Sequence, residues 1–289
     1  PVATLLARPT VASLAEVLRD RPGDEGRAAL VTLRDTGTRP PLFLVHPVGG
    51  DVLCYAGLGA LLDDDQPLHA LQYPDLEPAP QTVADLATHY ADAITERFPD
   101  GPYRLGGWSM GGVLALETAH LLAGRGKTVE LVAAVDLLEP PGRAEPASDA
   151  ALLARFARDL AGLAGGDWNP EPAQFEPTGD RSPIEELLTR ARHAAVLPDE
   201  IDAVTLERLA GRFLRLSRAL ADHEPAAYRG RVRLLQAMDG ATAPTTRQWL
   251  DLLGDRAESV DVPGDHYSVM RSPNLQTLAA EFGKALDDL

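Results

Sequence analysis

Apolar residues fall into two alternating patterns along this chain. Short apolar runs predict buried strands: Pro41-Leu-Phe-Leu-Val45, Leu68 to Gln72, Tyr103 to Gly106, Val129-Glu-Leu-Val-Ala-Ala-Val135, Val232-Arg-Leu-Leu-Gln-Ala237 and Ser259-Val-Asp-Val262. Between them lie stretches of helical period. Thr82 is a candidate N-cap for a helix carrying Val83, Leu86, Tyr90, Ile94 and Phe98 on one face. Val113 to Leu122 is helix-forming throughout and stops at Gly124-Arg-Gly126, a C-cap signal. Cys54 and Tyr55 begin a shorter helix, and Pro244–Leu253 and Thr277–Leu286 supply two more. This alternation predicts a doubly wound α/β fold with a mostly parallel sheet and helices on both faces.

Two regions leave the alternation. From about residue 140 to 228 the pattern is helical only: Ala150–Leu163, Ile184–His193, and a stretch from Asp199 to Asp222 with Leu206, Leu209, Phe213, Leu216 and Leu220 on one face. A proline- and glycine-bearing loop, Gly165–Pro183, separates the first two. A helical block between strands reads as an insertion over the carboxyl edge of the sheet, and Phe156, Leu206 and Phe213 would make it an apolar lid. At the other end, Val11, Leu14, Val17 and Leu18 mark one amphipathic helix within residues 1–20. Polar, glycine-bearing residues follow, so 21–40 reads as a linker and 41–289 as the main domain.

The chemistry concentrates at Gly107-Trp108-Ser109-Met110-Gly111, a G-x-S-x-G sequence. It stands between a predicted strand and a predicted helix, the setting in which an α/β-hydrolase fold holds a serine on a strained turn. The N-terminus of the following helix would place the Met110 N–H where a developing oxyanion forms. The first predicted strand delivers His46-Pro47-Val48-Gly49-Gly50 at its carboxyl end, making Val48 the candidate second oxyanion donor. His46 reads as a loop-packing residue.

A serine hydroxyl needs a base to take its proton, and the base needs an acid to hold its tautomer. His266 is the candidate base, in a glycine-containing loop after the last strand, Pro263-Gly-Asp-His266. Two acids compete. Asp136 ends the strand after the serine helix, and Asp239 ends the next strand after the insertion. Local chemistry does not separate them. Asp265 reads as a loop residue.

Composition narrows the function classes. A net charge of −16 over 289 residues argues against nucleic-acid and anionic-membrane partners. One cysteine, Cys54, excludes an internal disulfide and a thiolate metal site, and the seven histidines show no close pairing. No metal is expected. Without a long apolar run or a basic-then-apolar leader, a cytoplasmic location is the default reading.

Four separated motifs, Leu44-Val-His-Pro-Val-Gly-Gly50, Gly107-Trp-Ser-Met-Gly-Gly112, Val135-Asp-Leu137 and Pro263-Gly-Asp-His266, occur in the order seen in the thioesterase domains that end nonribosomal peptide synthetases. The chain resembles that family over about residues 28–289, with polyketide synthase thioesterases as cousins. The resemblance implies that Asp136 is the acid, because the family places it after the strand that follows the serine helix. It implies release of a peptidyl chain, by macrocyclisation or hydrolysis, from a thioester on the phosphopantetheine of an upstream peptidyl carrier domain. The domain itself would bind no cofactor. Residues 1–20 resemble the last helix of such a carrier domain. Three other readings share the motifs: a free-standing editing thioesterase, a small-ester hydrolase, and a catalytically silent scaffold that docks carrier domains.

Overall fold

In the computed structural model, the described residues are 29–74, 76, 78–138, 140, 147–177, 182–239 and 242–289. The helix expected within 1–20 lies outside them. They form two compact units, one running to Pro141 and resuming over His223–Leu289, the other Gly142–Asp222.

The larger unit holds a seven-stranded sheet in the order β1-β3-β2-β4-β5-β6-β7. Its strands are β1 (Leu30–Arg34), β2 (Leu42–Val45), β3 (Leu68–Leu71), β4 (Tyr103–Trp108), β5 (Val129–Val135), β6 (Val232–Ala237) and β7 (Ala257–Val262). All neighbours pair in parallel except β1, which runs antiparallel to β3. β2 and β4 are buried at every position, as expected of central parallel strands covered on both faces.

Helices α1 (Tyr55–Leu61), α2 (Val83–Arg97), α3 (Met110–Gly124), α7 (Thr242–Leu253) and α8 (Asn274–Asp287) complete this unit. Strand residues two apart share a face, so Leu42 and Leu44, and Leu131, Ala133 and Val135, all join one core. Tyr55 and Leu58 of α1 and Leu275, Leu278, Phe282 and Leu286 of α8 close that core. α2 begins in a full capping box, with Thr82 Oγ1 accepting from Asp85 N and the Asp85 carboxylate accepting from Thr82 N.

One expectation fails. Residues 21–40 read as linker, yet Leu30–Arg34 is an edge strand of the sheet, in register with β3 at Leu30–Leu71, Val31–Ala70 and Thr32–His69. All five of its positions are half-buried, so it lacks the fully apolar run that marks the central strands. Arg34 obscures it further by ending the strand with a charge. That guanidinium donates to the carbonyls of Gln66 (3.0 Å) and Asp63 (2.7 Å), which anchors the edge where a bulge breaks the pairing.

The smaller unit, Gly142–Asp222 against the expected 140–228, contains α4 (Asp149–Ala164), α5 (Pro183–His193) and α6 (Ala203–Ala221). Each starts at a side-chain cap that satisfies an orphan amide: Ser148 to Ala151 N, Ser182 to Glu185 N and Asp202 to Thr205 N. Gly165, at φ 81°, ends α4 in the left-handed region. Leu206, Ala210, Phe213, Leu216 and Ala219 form the buried stripe of α6, and Phe213 meets Phe156 of α4 with ring centroids 5.2 Å apart. The loop between α4 and α5 contains a 3₁₀ turn, Pro172–Phe175, that buries Phe175.

His69 on β3 is buried under Phe43 and Phe98, with Nδ1 3.1 Å from Thr32 Oγ1. Desolvation, helped by the charge of Arg97, pushes its pKa down from 6.5 to about 4. Since the folded protein binds this proton less well than the unfolded chain, His69 costs no stability above pH 6.5. It destabilises progressively as pH falls towards 4. His69→Phe keeps the aromatic packing and is expected to remove that part of the acid limb, on the order of 2 kcal/mol, in urea midpoints measured against pH.

Candidate active site

β4 ends at Trp108 and α3 begins at Met110, leaving Ser109 alone at the bend with φ 58° and ψ −127°. A non-glycine residue held there costs about 1–3 kcal/mol, so the surroundings must over-determine it. Ser109 N donates to Val135 O (2.8 Å), and Gly112 N donates to Ser109 O (3.0 Å). The flanking glycines answer to close approach. A Cβ on Gly107 would lie 2.2 Å from the Gly111 carbonyl carbon, and one on Gly111 would lie 2.2 Å from Val45 O and 2.9 Å from His46 O. The exit of β2 therefore lies directly against the first turn of α3.

At the exit of β5 the chain turns through Asp136, whose φ of 44° is again in the left-handed region. Its carboxylate is buried, and both oxygens are bonded. Oδ1 accepts from Ala237 N (2.9 Å), and Oδ2 lies 2.6 Å from His266 Nδ1. Asp239 is exposed, and its backbone N–H donates to Gly264 O, so of the two candidate acids Asp136 is the one bonded to the imidazole.

His266 follows β7 through Gly264, at φ 102°. The Asp265 carboxylate accepts from Tyr267 N and Ser268 N, which ties the loop to a short 3₁₀ turn, Ser268–Met270. Those bonds hold the Asp265 carboxyl below the usual range, as befits a structural loop residue. The residue before the serine reaches the same loop. Trp108 Nε1 donates to His266 O (3.0 Å), and the two rings lie 5.1 Å apart. Trp108 and Tyr267 rings flank the imidazole.

Val48 sits in a tight turn closed by Gly50 N donating to Pro47 O (2.9 Å). Met110 is the first residue of α3, where amides lack intrahelical partners. His46 is buried, with Nδ1 2.6 Å from Pro47 O and Nε2 2.6 Å from Tyr90 Oη, so it packs this loop. Among the described residues no group of three His, Cys, Asp or Glu side chains is placed to hold a metal ion. No helix among them is long and apolar enough to cross a membrane.

Two side chains that the one-dimensional pattern passes over shape this edge. Tyr55 reads simply as core, but its hydroxyl donates to Val45 O (2.5 Å) and accepts from Trp108 N (2.9 Å). The last β2–β4 pair is Val45 with Gly107, so Trp108 N is the next amide along that ladder. The phenol stands between the two strand ends, and burial pushes its pKa well above the usual range, keeping it a donor. Gln236, fully buried on β6, was detectable in principle as a polar residue in an apolar run.

A family model described as "Thioesterase domain" matches residues 40–286. The dimodular nonribosomal peptide synthase of Bacillus subtilis (strain 168) is 29% identical over 294 residues, covering 99% of this chain and 12% of that protein. Chondramide synthase of Chondromyces crocatus is 28% identical over 303 residues, covering all of this chain and 8% of that protein. The chain thus spans a small part of the curated relatives it matches. Among solved structures, a four-domain nonribosomal peptide synthetase bound to AMP and glycine has a TM-score of 0.83 at 29% identity, over 95% of this chain and 21% of that one. The NocB thioesterase domain, in covalent complex with a fluorophosphonate nocardicin G analogue, has a TM-score of 0.64 at 29% identity, over 89% and 99%.

Tyr55→Phe removes the hydroxyl between Val45 and Trp108 and is expected to lower stability by about 1–3 kcal/mol in urea denaturation. Gly111→Ala must displace backbone, not a flexible side chain, and is expected to cost about 3 kcal/mol or more by the same measurement.

Proposed function

Because this chain belongs to the thioesterase-domain family, whose model spans residues 40–286, we propose that it releases a peptidyl chain from a carrier-bound thioester through a serine ester. The observation that carries this reading is the 2.6 Å Asp136–His266 bond, in a loop tied by Trp108 to the strained turn at Ser109. The α/β-hydrolase arrangement of nucleophile, acid and histidine in chain order supports the same roles.

Ser109 Oγ attacks the thioester carbonyl while His266 Nε2 takes the hydroxyl proton. Asp136 holds Nδ1–H and stabilises the imidazolium. The N–H groups of Met110 and Val48 take the oxyanion. The tetrahedral intermediate collapses, the C–S bond breaks, and the imidazolium returns its proton to the departing pantetheine thiolate. The product is an acyl ester on Ser109. In the second half, His266 deprotonates a nucleophile that attacks this ester, and Ser109 leaves with the proton. General-base assistance is worth roughly 10²–10⁴-fold and each oxyanion donor roughly 10²–10³-fold.

The domain binds no cofactor of its own in this scheme. Phosphopantetheine arrives with the substrate on a peptidyl carrier domain, of which residues 1–20 would be the last helix. Similarity to multidomain synthetases over 99% of the chain, beyond the matched 40–286, supports that placement. The helical unit Gly142–Asp222 would act as a lid that excludes water, favouring attack by the substrate's own amine or hydroxyl and hence macrocyclisation over hydrolysis.

A fluorophosphonate probe is expected to label wild-type protein at Ser109 and leave Ser109→Ala unlabelled by intact mass. Labelling of the alanine variant, or none of the wild type, contradicts the assignment. Asp136→Ala is expected to slow acylation by a linear peptidyl-pantetheine thioester about 10²–10⁴-fold, with Asp239→Ala within about twofold of wild type. Product mass then separates release modes, since the macrocycle is one water lighter than the hydrolysed acid.

A further inference from the structure

Asp136 is one of three described non-glycine residues with positive φ, beside Ser109 and Ala195. The β5–β6 register runs to Val135–Leu235, and Asp136 N still donates to Leu235 O (2.8 Å). The backbone then turns out of the ladder, which strands the N–H and C=O of Leu137. Leu137 is buried, so neither group can turn to water.

Gln236 meets both. Its Oε1 accepts from Leu137 N (2.9 Å), and its Nε2 donates to Leu137 O (3.2 Å). A neutral carboxamide is the side-chain group that offers one acceptor and one donor side by side, and a strand glutamine has the reach. Three successive β6 residues thus grip the turn. Leu235 C=O holds the Asp136 amide, Gln236 holds the next residue by both backbone groups, and Ala237 N–H holds Asp136 Oδ1. Oδ2 is left to face His266 Nδ1. Leu137 also abuts the serine turn, since a Cβ on Gly112 would lie 2.6 Å from Leu137 Cδ2.

We infer that Gln236 is a positioning residue for the catalytic acid: its carboxamide locks the left-handed turn at Asp136 and so aims Oδ2 at His266. This rests on the triad reading above. Without the lock, Asp136 can relax to the extended backbone an L-residue prefers, and its carboxylate swings with it. The cost would fall on the acid–base pair and spare substrate affinity.

Gln236→Met keeps length and apolar volume but loses both bonds. It is expected to lower kcat for a chromogenic acyl ester about 10²-fold with KM unchanged. Gln236→Glu, protonated in this buried site, keeps an acceptor and a donor for Leu137 and is expected to recover at least about tenfold of the loss. Leu278→Ala, a core cavity in α8, is expected to destabilise comparably while leaving kcat near the wild-type value.

A Gln236→Met enzyme with wild-type kcat, beside a crippled Asp136→Ala, overturns the inference alone. A fully active Asp136→Ala overturns the triad reading and this inference with it. If Gln236→Met does not fold, Gln236→Glu decides. It is expected to lose about tenfold or more at high pH, where a carboxylate cannot donate to Leu137 C=O, and wild-type rates throughout overturn the inference.

Discussion

A 2.6 Å hydrogen bond between Asp136 Oδ2 and His266 Nδ1 joins residues 130 positions apart, and the geometry of this sheet edge converges on it. It requires β5 and the loop after β7 to present their side chains to the same place. Parallel strands do that by construction, because all their carboxyl ends lie along one edge. It also requires the carboxylate to be buried and otherwise satisfied, which the Ala237 amide achieves from the strand between them. A buried carboxylate without these partners would be strongly penalised.

Strain is concentrated at the same edge. Ser109 and Asp136 both leave their strands with positive φ, and both are held by bonds from the adjacent strand, to Val135 O and Leu235 O. Side chains take over where the regular ladders stop: the Tyr55 hydroxyl between β2 and β4, and the Gln236 carboxamide between β5 and β6. Each inserts polar atoms into an otherwise apolar layer, and each bonds both a backbone donor and a backbone acceptor, so the strained turns rest on a frame with little freedom to relax.

The helical unit follows different rules. Its helices are set by caps and by the apolar stripe of α6, with Phe156 and Phe213 in contact. It breaks the chain between β5 and β6 without breaking their pairing, which is why the strand after it still lies beside the strand before it.

Much of this was legible in order of residues alone. Period and run length place β2 through β7 and the helices between them, because burial on both faces demands continuous apolar runs and burial on one demands a 3.6-residue repeat. G-x-S-x-G announces the strained turn, since only glycine tolerates backbone 2.2 Å from a Cβ. The edge strand β1 stayed hidden because a half-covered strand needs no unbroken apolar run. The choice between Asp136 and Asp239 was not local: the order of four separated motifs pointed to Asp136, and the fold shows its carboxylate at the imidazole. Gln236 stood out only as a polar residue in an apolar run and Tyr55 only as core; the partners of each are backbone groups brought near by tertiary folding, and a backbone amide leaves no mark in a sequence.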